Sequence, residues 1–200
     1  MIRDATFEPA PAPTLDERTR ILYTLLFAGS DTVAITMTGG LQYLTQHPEL
    51  ARELSDGARL DPFVEECVRL FNPIVAFGRR ATIETEIGGQ LVGPNEQIAI
   101  YFASANRDPA VFGHPDLELD RTTNRHIGFG AGVHRCLGSH LARRTMRIGF
   151  ERLLARVEHF RLAGDPVVVT HQRRHFLTMP IGFDVVEAAG DASSAGRTGA

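Results

Sequence analysis

Ten residues constrain this chain more than any others: Phe129-Gly130-Ala131-Gly132-Val133-His134-Arg135-Cys136-Leu137-Gly138. Three of them are glycines, which let a backbone turn tightly and approach a flat ligand without Cβ clashes. Gly132 and Gly138 bracket Cys136, so nearby N–H groups can point at its sulfur. Downstream, Leu137, Leu141, Ile148, Leu153 and Leu154 recur at helical spacing and predict a helix to about Val157. Cys136 then sits just ahead of a helix N-terminus, where the dipole and free N–H groups stabilise negative sulfur. His134 and Arg135 add positive or hydrogen-bonding groups. A lone cysteine is ordinarily a small buried hydrophobe; this setting reads instead as a thiolate metal ligand. Cys67, inside an apolar helix, reads as core.

The rest of the chain predicts helices with a minor β component. Residues 1–13 are proline-rich and read as an irregular lead-in. Thr14-Leu15-Asp16-Glu17 has the form of a capping box. It predicts a helix to His47-Pro48, roughly 45–50 Å long. Ile21, Leu22, Leu25, Leu26, Phe27, Val33, Ile35, Met37, Leu41 and Leu44 lie all round it, the pattern of a buried helix. A short helix over about 48–55 follows. A third is capped at Asp61-Pro62 and ended by Pro73. Strands are expected over 79–87 and 97–103, with Gly88-Gly89 as a turn. Residues 104–128 read as an ordered meander. Val167–Val169 and Phe176–Pro180 suggest a hairpin, and 188–200 a disordered tail.

Two polar clusters sit inside apolar helices. Ala28-Gly29-Ser30-Asp31-Thr32 interrupts the long helix, and an interior glycine costs about 1 kcal/mol relative to alanine. Buried polar groups there need partners. The cluster is either a kink with an ion-paired Asp31 or a site. Glu66-Cys67-Val68-Arg69 places opposite charges at i and i+3, facing each other on a helix. In an apolar helix an unpaired charge would be costly. His171 and His175 are four apart but lack a third ligand, so no metal is expected there.

Composition narrows the class. Hydrophobic content of 43% and charged content of 22% describe a globular chain, and a net charge of −3 makes no case for nucleic acid. No apolar run is expected to reach transmembrane length and no signal peptide opens the chain. Two cysteines without pairing context fit a reducing, cytoplasmic setting. All 21 basic residues are arginine, which suggests a GC-rich bacterial genome.

The ten-residue stretch fills every fixed position of F-x-x-G-x-H/R-x-C-x-G and so resembles the haem-thiolate signature of the cytochromes P450. Ala28–Thr32 is similar to the family's A-G-x-[DE]-T motif, and Glu66–Arg69 to its E-x-x-R pair. The resemblance implies a mainly α fold with minor β sheets, matching the C-terminal half of the P450 fold over 14–187. It implies haem b (iron protoporphyrin IX) with Cys136 as axial ligand to iron. Phe129, Gly130, Gly138 and Ala28 would contact the cofactor, and Arg79 and His134 its propionates, with Arg80 as the neighbouring alternative. Thr32 would hydrogen-bond dioxygen or its water, and Asp31 would link that network to solvent. Glu66, Arg69 and Arg121 would be structural. Arg121 lies in Leu117-Glu118-Leu119-Asp120-Arg121, where the family usually has a Phe and a Pro. Ala105-Asn106-Arg107-Asp108-Pro109, which resembles the family's meander entry, and His126 would also be structural.

The function so implied is insertion of one oxygen atom of O2 into a small organic substrate. Electrons would come from a ferredoxin or flavoprotein, ultimately from NAD(P)H. Arg135, Arg143, Arg144 and Arg147 form a candidate basic docking face, or simply a solvated one. Because the resemblance covers only a C-terminal half, a truncated product, a separate N-terminal half, or a non-catalytic haem-binding or structural remnant are all open. An isolated half would leave part of the long apolar helix exposed.

Overall fold

The computed structural model describes residues 12–170 and 174–186. The expected tail over 188–200, most of the lead-in and His171 lie outside the described residues.

The first helix, α1 (Leu15–Gln46), begins as expected. The Thr14 hydroxyl accepts the Glu17 N–H, and a Glu17 carboxylate oxygen accepts the Thr14 N–H at 2.8 Å. The prediction that α1 is buried all round fails for its first half. Ile35, Thr36, Gly39, Gly40 and Leu44 are buried, but Ile21, Leu22, Leu25, Leu26 and Phe27 are 49–73% exposed. No described segment covers residues 15–30, so their apolar side chains face outward. An 18-residue window of α1 has mean hydropathy 1.3, so one apolar run does reach the length and composition of a membrane span, against expectation. Its second half is nevertheless built into the protein core, which a spanning helix could not be.

Helix α2 (Pro48–Glu53) runs into a 3-10 turn (Leu54–Asp56). Helix α3 (Leu60–Leu70) starts earlier than the sequence suggests, with Arg59 at the cap. Asp61 therefore lies in the first turn, and its carboxylate pairs with Arg147 at 3.0 Å. Strand β1 (Ala76–Arg80) starts three residues before the expected 79 and pairs antiparallel with β4 (Gln97–Tyr101). Between them, β2 (Thr85–Ile87) and β3 (Gln90–Val92) form a hairpin on Gly88-Gly89, whose φ values of +58° and +81° suit a tight turn. Short helices α4 (Phe102–Ala105) and α5 (Pro109–Phe112) open the meander.

Helix α6 (Ser139–Leu154) follows the cysteine loop. Of the leucines that suggested it, Leu154 is on its buried face, but Leu137 and Leu141 are not: they are 91% and 70% exposed. Met146, Phe150 and Leu154, each four apart, turn inward against α3, and the Phe63 and Phe150 rings meet edge-on at 5.0 Å. Gly39 and Gly40 bring α1 against this pair. A Cβ on Gly39 would stand 2.5 Å from Phe71, and one on Gly40 2.8 Å from the Cys67 sulfur. Close packing offsets the roughly 1 kcal/mol that each interior glycine costs. Cys67 is fully buried here, and burial pushes its thiol pKa up. The core also takes in Leu44, Leu54, Leu60 and Val68. Strand β5 (Val157–Leu162) pairs with β8 (Ile181–Val185), a pairing not anticipated, and β6 (Val167–Thr170) with β7 (Arg174–Thr178) as expected.

Candidate functional site

Cys136 is exposed, two residues ahead of the N-cap of α6. Its N–H donates to the Phe129 carbonyl at 2.8 Å, closing the loop on itself. Gly130 and Gly132 take φ values of +70° and +61°, the left-handed region that side chains other than glycine adopt at a cost. A Cβ on Gly132 would meet nothing within 4 Å, so the loop leaves open space there. The Cys136 sulfur lies 4.0 Å from where a Cβ on Gly138 would stand. Val133, 96% exposed, and Leu137 flank it with apolar surface. A soft sulfur donor on a glycine-shaped, open and apolar face fits a flat iron macrocycle.

Beneath the loop lies a buried ion network. Arg69 places Nε and Nη2 on the two Glu66 oxygens at 2.7 Å each, the fork geometry in which arginine holds carboxylates best. The pair is 0% and 1% exposed. Arg69 also donates to the carbonyls of Asn106 (3.0 Å) and Asp116 (2.7 Å). Glu66 accepts the Glu118 N–H at 2.9 Å and the Asn124 amide at 2.8 Å. Arg121 stands 3.4 Å from Glu66, so the geometry brings all three named residues together despite the unusual sequence around Arg121. Burial works against the charge on Glu66, but these partners outweigh it and hold its pKa below the usual carboxylate value. Asn106, fully buried, links this network to the loop, since its side-chain oxygen accepts the Ile127 N–H at 2.8 Å. A cavity of about 400 Å³ lies between α3 and the meander, lined by Glu65, Glu66, Arg121, Asn124 and Arg143 among others. Its lining includes none of Cys136, Thr32 or Arg79.

On α1, Ala28 and Asp31 are exposed and Thr32 is half-buried. The Thr32 hydroxyl donates to the Ala28 carbonyl at 2.8 Å. Arg79 is half-buried on β1, its Nη1 on the Gly78 carbonyl at 2.9 Å; the neighbouring Arg80 donates to the Asn95 carbonyl at 3.2 Å. His134 is exposed in the 3-10 turn Gly132–His134.

The basic face is thinner than the sequence suggests. Arg143 pairs with Glu65, and Arg147 with Asp61 and Glu151. Arg135 and Arg144 remain exposed. Sequence reasoning missed Glu65 altogether. It also left unread that Arg143 stacks on Phe129, its guanidinium 4.5 Å from the ring centroid.

The cytochrome P450 family model matches residues 59–185. Cytochrome P450-terp of a Pseudomonas species is 42% identical over 144 residues, covering 71% of this chain and 34% of that protein. The steroid C26-monooxygenase of Mycolicibacterium smegmatis is 38% identical over 146 residues, covering 72% of this chain and 36% of the relative. The crystal structure of CYP108D1 from Novosphingobium aromaticivorans superposes with a TM-score of 0.82 at 34% identity, over 90% of this chain and 45% of its own. The chain thus spans between a third and a half of the length of these proteins.

Proposed function

Because this chain belongs to the cytochrome P450 family, we propose that it forms the haem-binding part of a monooxygenase that inserts one oxygen atom of O2 into a small organic molecule. One observation carries the reading: Cys136 stands uncovered on a glycine-shaped loop that is braced from below by buried charge. In this reading Cys136, as a thiolate, would hold the iron of haem b, and Phe129, Gly130 and Gly138 would shape the face that receives the ring. Thiolate-ligated haem, when bound, supplies cleavage of the O–O bond of dioxygen.

The chain's own residues bind, orient and move protons. Arg79 can offer a carboxylate a planar pair of donors, and His134 a further one, so both suit the propionates. The Thr32 proton is committed to the Ala28 carbonyl, so at rest this hydroxyl can only accept a hydrogen bond. It would hold a water near Ala28 until its rotor turns and donates. Asp31, exposed beside it, carries protons in from solvent. Each turnover takes two electrons and two protons, and yields an oxygenated product and water. Arg135 and Arg144 provide the positive surface on which an acidic ferredoxin or flavoprotein, itself reduced from NAD(P)H, would dock. The second half of α1, built into the core, fits a cytoplasmic protein.

The exposed first half of α1 favours a second element in this reading. Polypeptide corresponding to the length of the relatives that the chain does not match would cover residues 15–30, from the same chain or a separate one. Without that cover Ala28 and Asp31 stand in water. The chain would then be a non-catalytic haem-binding or structural module.

The test is the ferrous–CO difference spectrum of the haem-reconstituted chain. A red-shifted Soret band supports thiolate ligation by Cys136, and its absence in Cys136→Ser must follow. A band typical of neutral ligation would overturn the assignment. Substrate-dependent O2 consumption with a supplied donor separates enzyme from module. Thr32→Ala should then release more peroxide or water per product, and unchanged coupling would remove Thr32 from its role.

A further inference from the structure

Neighbouring residues on a helix point about 100° apart, so the adjacent Glu65 and Glu66 of α3 serve different partners. Glu66 is spent on Arg69, Arg121 and the meander. Glu65 reaches the other way. Its two oxygens receive Arg143 of α6, through Nε and, at 3.0 Å, Nη2. One of them also meets His126 Nε2 at 2.9 Å. The other His126 ring nitrogen accepts the Gly128 N–H at 3.1 Å, so Nε2 is the nitrogen that carries the proton to Glu65. His126 precedes the cysteine loop and Arg143 follows it. One carboxylate on α3 therefore ties both ends of the loop to the core.

The tie reaches the ligand by two short steps. The Arg143 guanidinium, oriented by its fork on Glu65, lies 4.5 Å from the centre of the Phe129 ring. The Phe129 carbonyl accepts the Cys136 N–H at 2.8 Å. The loop is pressed on α3 at Gly128 as well, where a Cβ would stand 2.8 Å from the Val68 carbonyl. Asn106 holds Ile127 independently of Glu65, so losing Glu65 loosens the loop without detaching it.

We propose that Glu65 is a positioning residue for the iron-ligating loop: through His126 and through Arg143 stacked on Phe129, it fixes the backbone that presents the Cys136 sulfur. The proposal rests on the reading of Cys136 as haem ligand. Its structural part, that Glu65 holds the loop, stands on the haem-free chain alone.

The experiment therefore has two arms on Glu65→Gln, which keeps size and one acceptor but loses the charge and the fork. In the haem-free chain, amide hydrogen exchange at Cys136 should quicken, whereas exchange in the α3 core at Cys67 should not. In the haem-loaded chain, the share of ferrous–CO signal in the red-shifted band should fall by roughly tenfold, the size of effect that outer-shell changes have on metal sites. Arg152→Gln, exposed on the same helix, should change neither. Faster Cys136 exchange together with loss of the red-shifted band supports the proposal. Unchanged exchange overturns it, as does faster exchange with an unaltered band. Where even the parent chain gives no red-shifted band, the haem reading fails, and the exchange arm alone still judges the loop-holding role. Should Glu65→Gln lose its helical circular dichroism, Arg143→Lys takes its place with both readouts. It keeps the charge and surrenders the fork.

Discussion

The two halves of α1 and the whole of α3 are equally helical but live in different worlds. On α3, Glu66 and Arg69 are buried with almost every donor and acceptor matched, and Val64 and Cys67 pack into the core. On the first half of α1, apolar side chains as large as Leu26 and Phe27 stand 73% and 56% exposed. The chain therefore contains a self-sufficient unit, α3 with α6, the meander and the second half of α1, which holds the cysteine loop. It also contains a surface that makes physical sense only when covered. The ligand side of the site belongs to the first and the proposed oxygen side to the second.

The largest break in that comparison comes from the buried charge. Arg69→Ala strips the buried Glu66 carboxylate of its fork and leaves it only Arg121, at 3.4 Å, as a charged partner, which costs about 3–5 kcal/mol. Denaturant unfolding should register the loss, with an effect under 1 kcal/mol refuting the account. Leu44→Ala, which empties a fully buried position, should cost about 3 kcal/mol in the same measurement.

Much of this contrast was legible in advance, and the illegible part has a common cause. The capping box at Thr14, the Gly88-Gly89 turn and the stop at Pro73 are local signals and appear where they were expected. The buried fate of Glu66 and Arg69 could be argued from their apolar neighbours. Periodicity on α1 and α6 showed that the helices exist but misjudged which faces are covered, because coverage depends on elements elsewhere in the chain. Glu65 had no local signal at all: its partners lie 61 and 78 residues away. Strand β5 was missed because it does not alternate. A bulge at His159, with φ +51°, shifts its register against β8.

Acid sharpens the comparison at a smaller scale. Burial raises the Glu65 pKa, but hydrogen bonds from His126 and Arg143 and the charge of Arg143 outweigh it and hold the group at about 2, from 4.5. A carboxylate with its folded pKa depressed contributes stability above its unfolded value and loses it as pH falls through the folded one. The loss should therefore run from about pH 4.5 down to about 2. The shift is worth about 3 kcal/mol at full value, and about 2 kcal/mol once solvent screening of a partly exposed carboxylate is allowed for. Glu66 adds to the same limb, its pKa also being lowered. In Glu65→Gln the acid limb should flatten while the neutral plateau drops. An acid limb identical to that of the parent chain would show that Glu65 carries no such shift.

The smallest expected effect is the most discriminating. Leu26→Ala makes the same chemical change as Leu44→Ala, on the same helix, at a side chain 73% exposed. With nothing to lose in packing, its cost to unfolding should lie within about 0.5 kcal/mol. The consequence should appear in association instead. A contiguous apolar face of this kind drives contact with other surfaces. Replacing Leu22 and Leu26 together by Glu should shift the chain toward monomer in sedimentation velocity without changing the denaturant midpoint. A monomeric parent chain, or a large loss of stability in Leu26→Ala, would mean that the first half of α1 is already covered in solution. The division between a self-sufficient α3 unit and an uncovered α1 would then fall.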